Sequence, residues 1–118
     1  MATFELWDKG FKFLKERFLA YPPYTKTGEC TENYVVFRDD TTGPKSNYSS
    51  EVHYYSVICY SKSYSSVLKY ADEVKKSMEQ LFPFFAPSGI QTPTVYDDSV
   101  KAFTTSIQYR ANVRNKLL

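Results

Sequence analysis

The side chains that most often carry catalysis are few in this sequence. The chain of 118 residues contains one histidine, His53, and two cysteines, Cys30 and Cys59. A structural zinc site needs several His or Cys ligands at short, regular spacings, and these three residues show no such spacing. His53 next to Cys59 or a serine would make a base and nucleophile pair, but it lies in an apolar run, where a structural histidine is the simpler interpretation.

Two pairs of adjacent carboxylates, Asp39-Asp40 and Asp97-Asp98, also resemble catalytic residues only superficially. Neighbouring side chains in a turn point in different directions, and Asp is common in turns because it accepts hydrogen bonds from nearby backbone amides. With only 4 glycines, the chain has no glycine-rich loop that could cradle a phosphate. We therefore expect that the protein is not an enzyme and that it holds no metal ion or other cofactor.

The composition is typical of one folded domain spanning residues 1–118. Apolar residues make up 42% of the sequence and the formal net charge is +2, which excludes an intrinsically disordered chain. No apolar run is long enough to cross a bilayer, and no secretory signal is recognisable. We therefore expect an intracellularly made protein in which Cys30 and Cys59 are free thiols.

Two segments have the periodicity of amphipathic helices. The first covers residues 4–18 and ends at Tyr21-Pro22-Pro23, because proline disfavours a continuing helix. The second begins at a serine N-cap, Ser63 or Ser65, and extends to Leu81. The apolar stripes are Phe4, Trp7, Phe11, Leu14 and Phe18 in the first helix, and Val67, Tyr70, Ala71, Val74, Met78 and Leu81 in the second.

Four segments favour β-strands, namely Tyr34–Arg38, Glu51–Ser61, Ile90–Tyr96 and Val100–Arg110. The first two form a hairpin around a polar loop at residues 39–50, which is either functional or disordered. Pro93 makes the third an edge strand or a bulged one. The order α-β-β-α-β-β predicts an α+β fold: a four-stranded, mainly antiparallel sheet with two helices packed on it. Residues 111–118 either fray or dock on a neighbouring molecule.

The aromatic content is high, at 18% of the sequence, and we expect it to serve two purposes. Tyr has a large apolar body and a polar tip, which suits both small cores and protein interfaces. The residues expected in the core are Phe4, Trp7, Phe11, Phe18, Phe37, Tyr70 and Phe103. The residues expected to remain available for other chains are Tyr24, Tyr48, Phe84, Phe85 and Tyr96.

Four segments carry a resemblance to known proteins. They are Gly28–Phe37, Tyr54–Tyr60 with the Ser-rich cap and helix after it, Thr92–Ala102, and Ser106–Arg110. Together they look like small proteins encoded in the head–tail region of tailed phages and prophages of Gram-positive bacteria. The α-β-β-α-β-β order is similar to that of tail terminator proteins, which cap the tail tube with a hexameric ring.

The resemblance implies a structural virion protein that caps the tail tube as a ring and joins the tail to the head connector. The implied partners are further copies of the chain, the tail tube protein, head connector or neck proteins, and the sheath if the tail is contractile. The implied location is the tail or neck of the virion, after synthesis in the cytoplasm of the host bacterium. A neighbouring neck or tail-completion protein is an alternative. Neither a membrane nor a specific nucleic acid is an expected partner.

We expect the partner interfaces to involve the polar hairpin loop, the edge strand and the basic C-terminal end. The residues concerned are Arg38, Asp39, Asp40, Lys45, Tyr48, Tyr96, Arg110 and Arg114. A further alternative is a small nucleic-acid-binding module. In that module Tyr54, Tyr60, Phe103 and Tyr109 would stack on bases, with Arg110, Arg114 and Lys116 on the backbone.

Overall fold

The architecture is a small α+β domain in which two helices cover one face of a mixed sheet. The computed structural model describes residues 3–40 and 50–114. Helix α1 is Thr3–Arg17, and helix α2 is Tyr64–Met78, which a 3-10 turn continues at Glu79–Leu81. The strands are β1 (Ala20–Tyr21), β2 (Tyr34–Asp39), β3 (Ser50–Ser61), β4 (Ala86–Gln91), β5 (Val95–Asp97) and β6 (Ala102–Arg114). The predicted α+β class is confirmed.

The sheet has six strands, so the predicted four-stranded sheet is wrong in its details. The strand order is β1-β2-β3-β6-β4, and β5 also pairs with β6. All pairs are antiparallel except β1 with β2, which are parallel. Strand β1 could not be predicted, because an alternating pattern cannot be recognised in a strand of two residues.

The predicted strand Ile90–Tyr96 is divided into β4 and β5. Pro93 lies in the gap between them and has no amide hydrogen for a ladder. The Thr92 amide still donates to the Ser106 carbonyl at 2.9 Å, so this stretch follows β6 without being a strand. Strand β4 also begins at Ala86, four residues before the predicted start at Ile90, and its register on β6 shifts between Pro87 and Gln91.

The predicted hairpin is confirmed: β2 and β3 pair antiparallel from Tyr34 opposite Tyr60 to Asp39 opposite Tyr55. Of the predicted loop 39–50, residues 41–49 lie outside the described residues. The predicted C-terminal segment 111–118 is corrected in part, because β6 continues to Arg114 and pairs there with Ser50. Residues 115–118 lie outside the described part.

Helix α1 packs on the sheet through a stripe slightly different from the one predicted. Its most buried described positions are Leu6, Gly10 and Leu14, while Trp7 and Phe11 are half-buried beside them. The side chain of Phe4 lies outside the described residues. Gly10 cannot be recognised as a core position from hydropathy, yet a Cβ atom there would lie 2.6 Å from the Phe37 ring.

Helix α2 follows the sequence prediction closely. Every residue of its predicted stripe is buried, and the Ser63 hydroxyl caps the helix by accepting a hydrogen bond from the Ser66 amide at 3.2 Å. The predicted exposure of Phe85 is wrong. The Phe85 amide donates to the Leu81 carbonyl, and this turn places its ring edge-on against Phe37 and Tyr55.

Both cysteines are free, as predicted, and the structure also shows that both are buried. Burial raises the pKa of the Cys59 thiol to about 12 and raises the pKa of Cys30 as well.

At the outer side of β2, the Trp7 indole donates its Nε1 hydrogen to the Phe37 carbonyl at 2.8 Å. Trp7 therefore satisfies a backbone group that β1 is too short to reach.

Candidate interaction surfaces

The sheet face without helices is covered at one end only. There, Cys30, Tyr34, Val36 and Ala102 form a second, smaller buried cluster. The Cys30 amide donates to the Val100 carbonyl at 2.7 Å, which fixes the connection after β1 against the turn before β6. Alternation along β2, β3 and β6 places Arg38, Ser56 and Arg110 on the remaining, open part of this face, together with the exposed Val52 and Tyr54.

The open part of this face contains a network between β2 and β3. Arg38 Nε lies 2.6 Å from Asp40 Oδ1, and the Ser56 hydroxyl donates to the other oxygen of Asp40. The hydrogen bond to Asp40 raises the pKa of the Arg38 guanidinium, which therefore stays charged. Because Arg110 lies directly opposite Tyr54 in the β3–β6 register, it belongs to the same face. The structure thus places three of the predicted interface residues on one face, with Arg38 paired to Asp40 and Arg110 two strands away on the same side.

The other predicted interface residues are not part of this cluster. Asp39 is exposed on the opposite face, next to Tyr55, whose pKa is raised by burial and also by this carboxylate. Tyr96 lies on the helix-covered face, with its ring centroid 5.1 Å from that of Phe103. The side chains of Lys45, Tyr48 and Arg114 lie outside the described residues. The described members of the predicted set therefore lie on both faces of the sheet.

A cavity of about 330 Å³ lies where the Tyr24 turn, residues 22–25, approaches the helix-free face. Its floor is the stacked pair of Tyr34 and Tyr60, with ring centroids 4.5 Å apart, and burial raises the pKa of both phenols. Lys26 and Asp97 also line it. Tyr24 stands at its rim as an exposed side chain, which agrees with the prediction that this residue is available to other chains.

A second cavity lies near the other edge of the sheet, between the end of α2 and strands β4 and β6. This α2–β4 groove has a volume of about 380 Å³. It is lined mainly by apolar side chains, namely Met78, Phe82, Phe85, Pro87, Ile107 and Tyr109, with Lys75 and Glu79 also present. The groove could not be predicted from the sequence, because its walls come from segments far apart in the chain. The only local signal is the aromatic and proline-rich stretch around Phe82.

The stacking platform of the nucleic-acid alternative does not form. Tyr54 and Tyr60 are on the helix-free face, whereas Phe103 and Tyr109 are on the face covered by the helices. Tyr109 is also buried, so its ring is not accessible to a base. The error arises because residues on neighbouring strands share a face only when their register places them on the same side.

The described residues contain no group of three or more His, Cys, Asp or Glu side chains that could hold a metal ion. His53 is buried in β3, and its ring lies parallel to that of Tyr55, with centroids 6.4 Å apart. This placement is that of a residue in the sheet core. Neither helix in the described part of the chain has the length and apolar character needed to span a membrane.

Comparisons with known proteins add no family assignment. No protein-family model matches the sequence, and no curated protein matches it.

Proposed function

We propose that the protein is a tail terminator: a structural virion subunit that caps the phage tail tube as a ring and joins the tail to the head connector. The observation that carries this proposal is the position of its exposed aromatic residues. Tyr24 stands at the rim of the cavity on the helix-free face, whereas Phe82 lines the α2–β4 groove on the helix-covered face. A subunit of a closed ring needs two different contact surfaces, because its contacts are head-to-tail.

The element order supports the same proposal. When the short strands β1 and β5 are set aside, the order is α1-β2-β3-α2-β4-β6, which is the α-β-β-α-β-β order that the resemblance to tail terminators rests on. The two short strands, β1 and β5, lie at the margins of the sheet. The longest strand pairing is the central one, between β3 and β6.

The open part of the helix-free face is the surface we assign to the tube or the connector. Its Arg38–Asp40 pair and Arg110 offer charged hydrogen-bonding groups on a rigid sheet. Polar groups of this kind favour specificity for one partner over tight, permanent association. The sheath would be a further partner if the tail is contractile, and assembly would take place in the cytoplasm of the host bacterium.

Deleting the gene from the phage or prophage that carries it tests this function. A terminator stops tube growth, so we expect tails of abnormal and variable length without heads, and a plasmid copy should restore normal particles. Tails of normal length that fail to join heads would instead identify a neck or tail-completion protein. Normal infectious particles would refute both functions.

A further inference from the structure

The cavity beside the Tyr24 turn contains a polar group that the fold leaves unused. The Tyr34 side chain lines this cavity and is only 2% exposed. Within residues 3–40 and 50–114, its hydroxyl has no hydrogen-bond partner. A hydroxyl buried without a partner is costly, so it calls for an explanation. Because burial raises the pKa of this phenol, the hydroxyl keeps its proton and can donate it to a ligand in the cavity.

The two cationic side chains of the lining, Arg38 and Lys26, also have hydrogen-bond donors to spare. Asp40 accepts from Arg38 Nε at 2.6 Å, which orients the guanidinium. In the described part of the chain, Nη1 and Nη2 of Arg38 have no acceptor, so one edge of its planar fork is open. The Lys26 ammonium lies 5.5 Å from the centre of the Tyr34 ring and donates to the Thr27 carbonyl at 3.3 Å, which leaves it two further hydrogens.

Acceptors are scarcer than donors in this lining. Asp97 supplies its carboxylate, but Oδ1 already accepts from the Ser99 amide at 3.0 Å and from the Ser99 hydroxyl at 2.6 Å. No ion pair joins Asp97 to Lys26 among the described residues. Asp40 offsets part of the charge of Arg38, so the excess of unused donors decides the ligand class more than the net charge does. That excess favours a ligand rich in acceptor oxygens, and a carboxylate matches the Arg38 fork.

The rest of the lining suits an aromatic body. The stacked rings of Tyr34 and Tyr60 lie beside Val36 and Ile58, and Tyr24 stands at the rim. The volume of about 330 Å³ falls within the range of pockets that hold small organic ligands, about 300–1,000 Å³. A flat ring entering this space would exchange water for aromatic and aliphatic contacts.

The Tyr24 turn is held in an unusual conformation at the rim. The backbone φ of Tyr24 is 65°, in the left-handed region that bulky residues rarely adopt. The Thr25 hydroxyl donates to the Pro22 carbonyl at 2.8 Å and fixes the turn in this form. Its ring is 98% exposed, so the chain alone gains no burial from it. Backbone strain of this kind often occurs at binding sites, which agrees with a ligand that covers the ring.

We propose that the cavity beside the Tyr24 turn binds a small aromatic carboxylate. The open edge of Arg38 takes the carboxylate in a bidentate pair. Tyr34 lies four residues before Arg38 on the same face of β2, about 13 Å away between Cα atoms, so it marks the other end of the cavity. There the Tyr34 hydroxyl and the Lys26 ammonium donate to a second oxygen of the ligand, while its ring lies against Tyr60.

Titration of the isotope-labelled full chain, followed by amide NMR shifts, tests the site. The probe is N-acetyl-phenylalanine, which carries a carboxylate, a ring and an acetyl oxygen. At the efficiency of an ordinary ligand, its dissociation constant should be roughly 0.5 mM. N-acetyl-phenylalanine amide has the same ring without the charge and should bind at least about tenfold more weakly. Shifts that do not saturate well above this concentration, or that lie away from β2 and β3, overturn the proposal.

Substitutions at Tyr34 and Arg38 separate binding from folding. Tyr34→Phe should weaken binding roughly tenfold, because a hydrogen bond to the ligand is lost, yet it should leave the urea midpoint unchanged or higher. Arg38→Gln should abolish measurable binding, and Arg38→Lys should restore part of it. Arg110→Gln is the matched control, since Arg110 is on the same face but outside the cavity. A less stable Tyr34→Phe protein with unchanged affinity would show that the hydroxyl serves the fold, and would overturn its role here.

Asp97→Asn tests the sign of the ligand charge. Removing this carboxylate should strengthen the binding of N-acetyl-phenylalanine several-fold, because it removes a repulsion. Phenylalanine amide, with a free ammonium group and no carboxylate, is the opposite probe. If it binds more tightly than N-acetyl-phenylalanine, and Asp97→Asn abolishes its binding, the cavity takes cations and the proposal is wrong.

The carboxylate could belong to a free molecule or to the end of a protein chain, and one further probe separates these sources. An alanine peptide ending in phenylalanine that binds much more tightly than N-acetyl-phenylalanine identifies a chain end. Equal affinities identify a free acid, and either result supports the proposal. Binding of neither probe overturns it. The inference does not rest on the proposed function, so that outcome leaves the tail terminator to be decided by the gene deletion.

Discussion

Gly10 occupies the position in α1 that allows the helix to approach the sheet, and Gly10→Ala tests this role. In an exposed helix interior, replacing Gly by Ala stabilises a protein by about 1 kcal/mol. At position 10, however, the new Cβ would lie 2.6 and 2.7 Å from two atoms of the Phe37 ring and 3.3 Å from the Phe85 ring. The shortest of these distances is about 0.8 Å below the 3.4 Å at which ordinary contact begins.

The Phe37 ring has no free space into which it could retreat. It is fully buried and stacks on Tyr55 with centroids 5.5 Å apart, while Trp7 and Phe85 lie at 6.1 and 6.0 Å. Overpacking a core of this kind costs about 1–3 kcal/mol, and a displacement this large belongs at the upper end. After the gain in helix propensity is subtracted, we expect Gly10→Ala to lower the free energy of unfolding by about 2 kcal/mol.

Urea unfolding followed by circular dichroism measures this change. Lys12→Gly, on the exposed side of α1, reports what a glycine costs in this helix and should destabilise by about 1 kcal/mol. Combining Gly10→Ala with Phe37→Leu makes room at the contact, so the two changes together should cost less than their separate effects added. A Gly10→Ala protein as stable as the original, or more stable, would refute the close approach of α1 to Phe37.

Three further predictions concern the core and the cap of α2. Burial raises the pKa of five tyrosines, Tyr34, Tyr55, Tyr60, Tyr70 and Tyr109. Above pH about 10 the folded state therefore keeps protons that the unfolded state loses. The free energy of unfolding should fall there by up to about 1.4 kcal/mol per pH unit for each tyrosine. Unchanged urea midpoints between pH 9 and pH 11 would contradict this expectation. Neither cysteine should react with a thiol reagent at pH 8 until denaturant is added, so rapid labelling of the folded protein would show that the burial is wrong. Ser63→Ala should cost about 1 kcal/mol in thermal or urea unfolding, more than the neighbouring Ser65→Ala, and equal effects would show that the Ser63 cap contributes little.

The parts of the fold that could be predicted are those in which one local pattern decides the outcome. The stripe of α2 has a single buried face, so its spacing identifies every core residue from Val67 to Leu81. Strand β3 has apolar residues on both faces, a pattern typical of a central strand, and it lies between β2 and β6. The parallel pairing of β1 with β2 depends instead on a contact between distant segments, in which the Val35 amide donates to the Leu19 carbonyl at 2.9 Å.

The candidate site was less predictable for the same reason. That Arg38 and Arg110 share a face depends on the β2–β3 and β3–β6 registers, which no segment encodes alone. The groove combines Met78 with Ile107, two residues that hydropathy assigns to the core. Composition did identify Tyr24 as a surplus aromatic residue, but its left-handed backbone has no sequence signal in a stretch without glycine.

The two edges of the sheet limit how copies of this chain can join. On β2, beyond the short β1, the Phe37 carbonyl is already occupied by the Trp7 indole. On β4, Pro87 supplies no amide hydrogen, and the register is interrupted before Gln91. Strand addition, which continues without a defined end and leads to fibres, is therefore obstructed at both edges. A concentrated solution of this protein should therefore resist fibre growth, because neither edge in the described part of the sheet offers an uninterrupted ladder to an added strand.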